Sequence, residues 1–346
     1  MTQQRDLNEQ AKDLNEQARD LNEQARDLNE QAKDLNEQVE ESMTTQQQWL
    51  ERNATQPPLP DDLPNWIEEL AKTARSGDIH EALNDSARIV PEVGKDGAAP
   101  RYSAVLVLFS DADEVEAVGA SGAGSGGETD CAVRVSEAGD AGYAGENEGP
   151  TGPARSLPHN AALLLTHRAA TMRNHSGQMA FPGGRREPQD RDAIATALRE
   201  AWEETNLDPQ SVTPLAVMQP VYIDRTNFAV VPVLAYWPAA HEIYPASPEN
   251  DWVEMVALSH LTDPEHRFRV GFMQWSGPAF SIGNRLLWGF TAGIVDSIVR
   301  LAGWERPWAG EPVVDLFNAL EQSSNGESLQ TMKNQFRAAG PQGGAP

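Results

Sequence analysis

The sequence predicts an α/β fold preceded by an N-terminal heptad-repeat helix, and three observations carry that expectation. Apolar runs of strand length occur at 104–109, 161–165 and 228–236. Stretches with helical spacing of apolar residues occur at 192–204 and 284–303. Ahead of all of these, residues 1–42 repeat a seven-residue unit.

In that first element the unit Asp-Leu-Asn-Glu-Gln-Ala-(Lys/Arg) recurs from Asp6. Leu7, Leu14, Leu21, Leu28 and Leu35 alternate with Ala11, Ala18, Ala25 and Ala32 at spacings of three and four, and Val39 takes the next Ala position. This places Ala at heptad position a and Leu at d, the seam of a left-handed coiled coil. Ala at every a position buries little area, and Asn and Gln at e and g select no partner by charge. The expectation is a solvated helix or a weak self-associating stalk, with a homo-oligomer formed through the repeat as one outcome.

Residues 43–64 read as a linker because Pro57 to Pro64 is proline-rich, and Trp66 to Ala74 reads as a short amphipathic helix. That helix opens a domain expected over 65–320. Ala104–Phe109 and Ala161–Leu165 read as adjacent strands. The acidic glycine-rich insert between them, 110–158, has too few large apolar residues to offset its ordering entropy. Cys131 falls inside this insert, so no chemical role is given to it. Phe228–Tyr236 reads as a buried strand, with Pro232 suggesting an edge or a bulge. Asn284 to Gly303 reads as a helix, and 321–346 as a flexible tail.

Composition narrows the functional classes. The 346 residues carry 27 basic and 52 acidic side chains, a net charge of −25, and one cysteine. Residues 1–42 hold −7 and residues 110–150 hold −9, so the charge describes mainly the two appendages. The acidity argues against nonspecific nucleic-acid binding, which needs Lys and Arg on the phosphates. No window approaches the roughly 18 uninterrupted apolar residues of a membrane span, and no secretory signal is visible behind Met1. A single cysteine excludes a disulfide framework and fits a reducing, cytoplasmic setting.

The chemistry concentrates in 163–207. Asp190 and Asp192 offer cap and first-turn acids to a helix reaching about Glu204. On it Glu200, Glu203 and Glu204 stand at i, i+3 and i+4, crowding three carboxylates on one face. Ile194, Leu198 and Ala201 fall on the other side, expected to pack against the sheet. Like charges at this spacing destabilise an isolated helix. Hard oxygen ligands so clustered suit Mg²⁺ or Mn²⁺, which relieves the repulsion and clamps phosphate oxygens. Arg199 can orient a neighbouring carboxylate. The preceding Phe181-Pro182-Gly183-Gly184 is a loop whose backbone can approach a ligand and offer a carbonyl to a metal.

These residues resemble the Nudix hydrolases, whose box reads Gly, five residues, Glu, seven residues, then Arg-Glu-hydrophobic-x-Glu-Glu-x-Gly-hydrophobic. Here Gly184 is followed after five residues by Asp190, and after eight more by Arg199-Glu200-Ala201-Trp202-Glu203-Glu204-Thr205-Asn206-Leu207. Asp190 replaces Glu, one residue is added, and Asn206 replaces the last Gly, a mild change because Asn tolerates a left-handed helix end. Upstream, Arg168, Arg173, Gly177 and Phe181 to Gly184 fit the added signature of the coenzyme A pyrophosphatase-type subgroup. The resemblance spans about 100–305.

The resemblance implies an α/β/α sandwich around a mixed sheet and hydrolysis of a diphosphate by metal-activated water. It places Glu203 and Glu204 on a Mg²⁺ or Mn²⁺ ion, with a backbone carbonyl near Gly184. Glu200 binds metal or helps activate water, and Arg199 orients the glutamates. The substrate implied is a small nucleoside diphosphate, coenzyme A or its acyl derivatives, cleaved to a phosphopantetheine and 3′-phospho-AMP; the alternatives are another nucleoside diphosphate derivative such as ADP-ribose, NADH or a nucleotide triphosphate, or a non-catalytic binding module of the same fold. Arg168 and Arg173 are candidates for phosphate contact, against a reading as unspecialised surface arginines. A later acidic ligand or base is open between Asp251 and Glu254. His159, His167 and His175 show no metal-ligand spacing, and Trp252, Trp275 and Trp288 read as core.

Overall fold

The computed structural model describes residues 45–76, 82–83, 88–95, 97–111, 157–158, 160–172, 176–308 and 310–339. The heptad repeat, nearly all of the acidic insert with Cys131, and Arg173, His159 and His175 lie outside the described residues. Among those described, no helix is long and apolar enough to cross a membrane.

A mixed sheet forms the centre. Strands β1 (Arg101–Asp111) and β2 (Ala161–Arg168) pair antiparallel, with Phe109 opposite Leu163, so the acidic insert connects two neighbouring strands. Next come β3 (Met179–Ala180) against β2 and β4 (Gly183–Arg185) against β1. Beyond β1 lies β7 (Phe228–Trp237), parallel to it, flanked by β5 (Thr213–Val217) and β6 (Val221–Ile223). On the far side of β2 lies β8 (Asn250–Ala257). The near-continuous apolar runs of β1, β2 and β7 follow from burial on both faces.

Helices cover those faces. Against one pack α1 (Gln46–Asn53) and α3 (Ala193–Thr205), in a cluster with Ala104, Leu106, Leu108, Leu164 and Val233. Against the other pack α2 (Asn65–Ser76) and α5 (Gly289–Leu301), sharing a cluster with Val107, Phe109, Leu163 and Leu165. The short helix α4 (Leu258–Leu261) precedes α5. This is the α/β/α arrangement expected, and alternation along β1 and β2 decides which residue feeds which layer.

A second, four-stranded sheet was not expected. It comprises β9 (Arg267–Phe272), β10 (Trp275–Ile282), β11 (Arg285–Leu287) and β12 (Val314–Asp315). The helix expected from Asn284 therefore starts later, at Gly289. Asn284 belongs to a tight turn in which Gly283 takes φ 56° and Ile282 pairs with Arg285. Helices α6 (Leu316–Gln322) and α7 (Leu329–Ala339) follow, and α6 packs on this sheet together with Met332 of α7.

Two further expectations are corrected and one is narrowed. Of the edge or bulge expected at Pro232, the irregularity is what is found: the pairing shifts by one residue between the Val217–Val233 and Val221–Val230 pairs, while Pro232 itself lies in central β7. Its carbonyl accepts from Met218 N–H at 3.0 Å where β5 has ended and β6 not begun, so the missing N–H falls in a gap of the pairing. Residues 43–64 are not a simple linker. Thr45 forms a capping box with Gln48, Trp49 is fully buried and donates to Thr196 Oγ1 at 3.2 Å, and Asn53 Oδ1 accepts from Ala193 N–H at 2.8 Å. Nor is 321–339 a loose tail. Asn325 is buried and exchanges side-chain hydrogen bonds with the backbone of Leu286 at 2.8 and 2.9 Å, and Glu327 accepts from Trp288 Nε1 at 2.7 Å.

Candidate active site

The Phe181–Gly184 loop is tied to the centre of the sheet. Phe181 is buried, Pro182 C=O accepts from Leu106 N–H at 2.9 Å, and Gly183 and Gly184 sit opposite Val105 and Ala104. Asp192 then caps α3, its side chain accepting from Ala195 N–H at 2.8 Å. Asn206 ends the helix in the left-handed region at φ 58°. The face laid on β1 is Ala193, Ala197 and Ala201, whose small side chains permit close approach. Ile194 and Leu198, expected in that stripe, are only partly buried. Glu204 continues the Ala197–Ala201 stripe, which is why a carboxylate here is 6% exposed.

Arg199 organises the acids. It grips Asp190 with Nε and Nη2, both at 3.0 Å, and reaches Glu200 Oε1 at 3.0 Å, Glu203 Oε2 at 3.2 Å and Arg185 C=O at 3.0 Å. Asp190 is buried and also accepts from Glu187 N–H at 2.8 Å. Burial alone raises the Asp190 pKa, but the Arg199 and Glu187 hydrogen bonds outweigh it and hold the carboxyl below its usual range. Burial pushes the Glu200 carboxyl up, against the pull of Arg199. Burial pushes Glu204 further, to about 7, although Gly183 N–H donates to it at 3.1 Å and Arg168 Nη1 lies 3.6 Å away. Glu203 is the solvent-facing member, its side chain 45% exposed.

Gly184 has a specific steric reason to be glycine. A methyl group there would lie 2.5 Å from Glu200 Oε2 and closer to the other carboxylate atoms. The Glu200 carboxylate therefore rests directly on the loop backbone. This contact and the three carboxylates of α3, buried Glu204 among them, are a donor set suited to a hard divalent cation. Among the described residues no three acidic or His/Cys side chains already converge as a metal cluster. Arg199 holds Glu200 and Glu203 instead, so a cation at this face competes with the guanidinium.

Of the other residues singled out from sequence, Arg168 is brought to Glu204 and Arg173 is outside the described residues. Asp251 and Glu254 are not brought to the glutamates. Asp251 accepts from His167 Nδ1, whose ring also hydrogen-bonds Asn325 C=O through Nε2 at 3.1 Å. Glu254 is opposite Leu165, on the sheet face turned toward α5. Two residues without any motif arrive in their place. Glu249 accepts from Arg168 Nη2 at 3.1 Å, and buried Asn250 lies across from Arg168 and beside Glu204. The loop before them caps the C-terminus of α3, Tyr244 N–H donating to Thr205 C=O at 3.2 Å and Ala246 N–H to Glu204 C=O at 2.9 Å. Only the fold reveals that placement.

Comparison with known proteins decides the family. The NUDIX domain family matches residues 155–275. The chain is 36% identical over 161 residues to the mitochondrial coenzyme A diphosphatase NUDT8 of Mus musculus, covering 44% of this chain and 76% of that protein. The chain belongs to the Nudix family.

The Nudix chain is also 35% identical over 149 residues to the uncharacterized Nudix hydrolase NudL of Photorhabdus laumondii, covering 40% of this chain and 75% of the relative. Among solved structures, a Nudix hydrolase from M. smegmatis, RenU, aligns with 47% of this chain and 76% of its own, at 18% identity and a TM-score of 0.29. Nudix proteins of this kind hydrolyse diphosphate bonds and in general use a divalent metal such as Mg²⁺ or Mn²⁺. The Nudix box here departs from its usual pattern at Asp190, and the structure supplies that residue with a function: it is the buried anchor of Arg199.

Proposed function

We propose that this Nudix hydrolase cleaves the diphosphate of coenzyme A or an acyl-coenzyme A, giving a phosphopantetheine and 3′-phospho-AMP. The observation that carries the substrate is the 36% identity to a coenzyme A diphosphatase across the segment that holds the box. In this reading Glu200, Glu203 and Glu204 hold Mg²⁺ or Mn²⁺ with the backbone carbonyl at Gly184. A bound cation supplies a Lewis acid for the phosphate oxygens and lowers the pKa of water. Arg199, fixed by Asp190, sets the orientation of Glu200 and Glu203. Arg168 and Arg173 neutralise the diphosphate. The oxygen of water bonds to one phosphorus, the bridging oxygen departs with the other, and a carboxylate of the site takes the proton released, Glu200 where it is not itself on the ion. The heptad repeat is read as a solvated helix or a weak self-associating stalk, and the cytoplasm is the setting that the single cysteine fits.

A panel of coenzyme A, acetyl-coenzyme A, ADP-ribose, NADH and a nucleoside triphosphate, each with Mg²⁺ or Mn²⁺, tests the substrate. Fastest turnover on the coenzyme A pair supports it. Coenzyme A left intact while ADP-ribose is rapidly cleaved refutes it.

A further inference from the structure

Asn250 is 4% exposed, and neither its amide oxygen nor its amide nitrogen has a hydrogen-bond partner. Native proteins satisfy nearly all buried side-chain amides, so two orphaned atoms on one buried residue call for an explanation. A leucine keeps the branched outline, with bulkier ends, and leaves no polar atom unpaired. The surroundings supply the explanation. Asn250 begins β8 directly opposite Arg168, and Arg168 is the guanidinium nearest Glu204. The amide is near enough to the Glu204 carboxylate to favour its ionised form, yet stops short of hydrogen-bond geometry. Glu204 is meanwhile engaged with Gly183 N–H and Arg168. Arg168 Nε is itself buried without a partner. Unused donors thus belong to two paired residues of β2 and β8, one of which reaches Glu204 with its guanidinium.

We propose that Asn250 is a positioning residue for Glu204: its amide N–H would hold one carboxylate oxygen and so aim the other at a bound divalent cation. This rests on the cation-dependent reading of the site above. The energetic logic is that of groups behind metal ligands, which orient the ligand and whose removal lowers metal affinity or activity by about 10- to 100-fold. A buried amide without a protein partner is costly, and a role beside Glu204 accounts for its place there. The assignment differs from the acidic residues considered from sequence, because an amide donates to a carboxylate and does not compete with it for the cation.

The test uses the full chain and two variants, Asn250→Leu and Asn250→Asp. Three quantities are read: melting temperature without divalent cation, Mn²⁺ affinity by calorimetry without substrate, and kcat and KM. For Asn250→Leu the cation-free melting temperature is expected to hold or rise, since two buried orphans are removed, while Mn²⁺ affinity and kcat fall by about 10- to 100-fold with KM little changed. Asn250→Asp keeps the shape but loses the donor, and a comparable loss is expected from it. If both variants bind Mn²⁺ and turn over within twofold of the parent, the proposal is overturned. It is equally overturned if Asn250→Leu loses stability and Mn²⁺ affinity together, or if the parent binds no Mn²⁺. Weakened Mn²⁺ binding in both variants of a protein that leaves coenzyme A uncleaved supports the Asn250 role and refutes only the substrate.

Discussion

Replacing Gly184 by alanine isolates the contact between the loop and the box helix. The added methyl meets the Glu200 carboxylate, 2.5 Å from Oε2, where ordinary contact begins near 3.4 Å. The carboxylate must retreat by about 1 Å, and it can, because it ends a flexible side chain. The fold should therefore survive with a melting temperature within a few degrees of the parent. Displacing a reacting or ligating group by about 1 Å costs on the order of 100-fold in rate, near 2.7 kcal/mol of transition-state stabilisation. The contrast is Gly183→Ala, whose methyl meets the backbone of Ala104 and Val105, atoms that cannot step aside. The assay is kcat/KM on the best substrate beside thermal unfolding of each variant. Gly184→Ala should lose activity and keep its fold, and Gly183→Ala should lose both. Parent-like turnover in Gly184→Ala, or a collapse of its fold, refutes the steric reasoning.

Four other outcomes are expected. Glu203→Gln should remove most turnover without shifting the melting temperature, because Glu203 is half-exposed and supports no core; unchanged turnover measured with saturating Mn²⁺ contradicts its place on the ion. Without cation, Glu204 and Glu327 keep protons in the folded state up to about pH 7 that the unfolded chain releases near 4.5, so their contribution is full below pH 4.5 and is lost as pH rises to about 7. Asp190, held low, contributes stability that is full above its ordinary 3.8 and is lost only as pH falls below that value. Mn²⁺, which favours ionised Glu204, should therefore raise the melting temperature more at pH 8 than at pH 5.5, and equal shifts count against that. Trp49→Ala should destabilise by about 3–5 kcal/mol in urea unfolding, as for other large-to-small changes at fully buried aromatics. Deleting residues 1–42 should leave kcat/KM unchanged, and a large loss would give the heptad repeat a role in catalysis.

What was legible in the sequence was local. The crowding of Glu200, Glu203 and Glu204 follows from helix periodicity, and the αL end at Asn206 from the chemistry of one residue. The adjacency of β1 and β2 followed from two apolar runs bracketing a segment poor in large apolar residues. What escaped depended on contacts distant in the chain. Asp190 looks like a helix-start acid until the fold presents it to Arg199. Trp49 sits in a polar stretch, and only the α3 surface with Thr196 gives it somewhere to be buried. Asn325 and Glu327 read as a polar end until they meet Leu286 and Trp288. The Gly283–Asn284 turn was hidden because Arg285 to Trp288 also fits a helical spacing. Nothing local distinguishes Asn250 from any polar residue at a strand start.

The central claim is that this chain hydrolyses the diphosphate of coenzyme A with a divalent cation held on the α3 glutamates. Mass spectrometry of the products formed from coenzyme A with Mg²⁺ or Mn²⁺, beside a chelator control, tests it most directly. Equal amounts of phosphopantetheine and 3′-phospho-AMP, absent under chelation, are the result expected. Intact coenzyme A, or the same products formed undiminished in the presence of chelator, would contradict it.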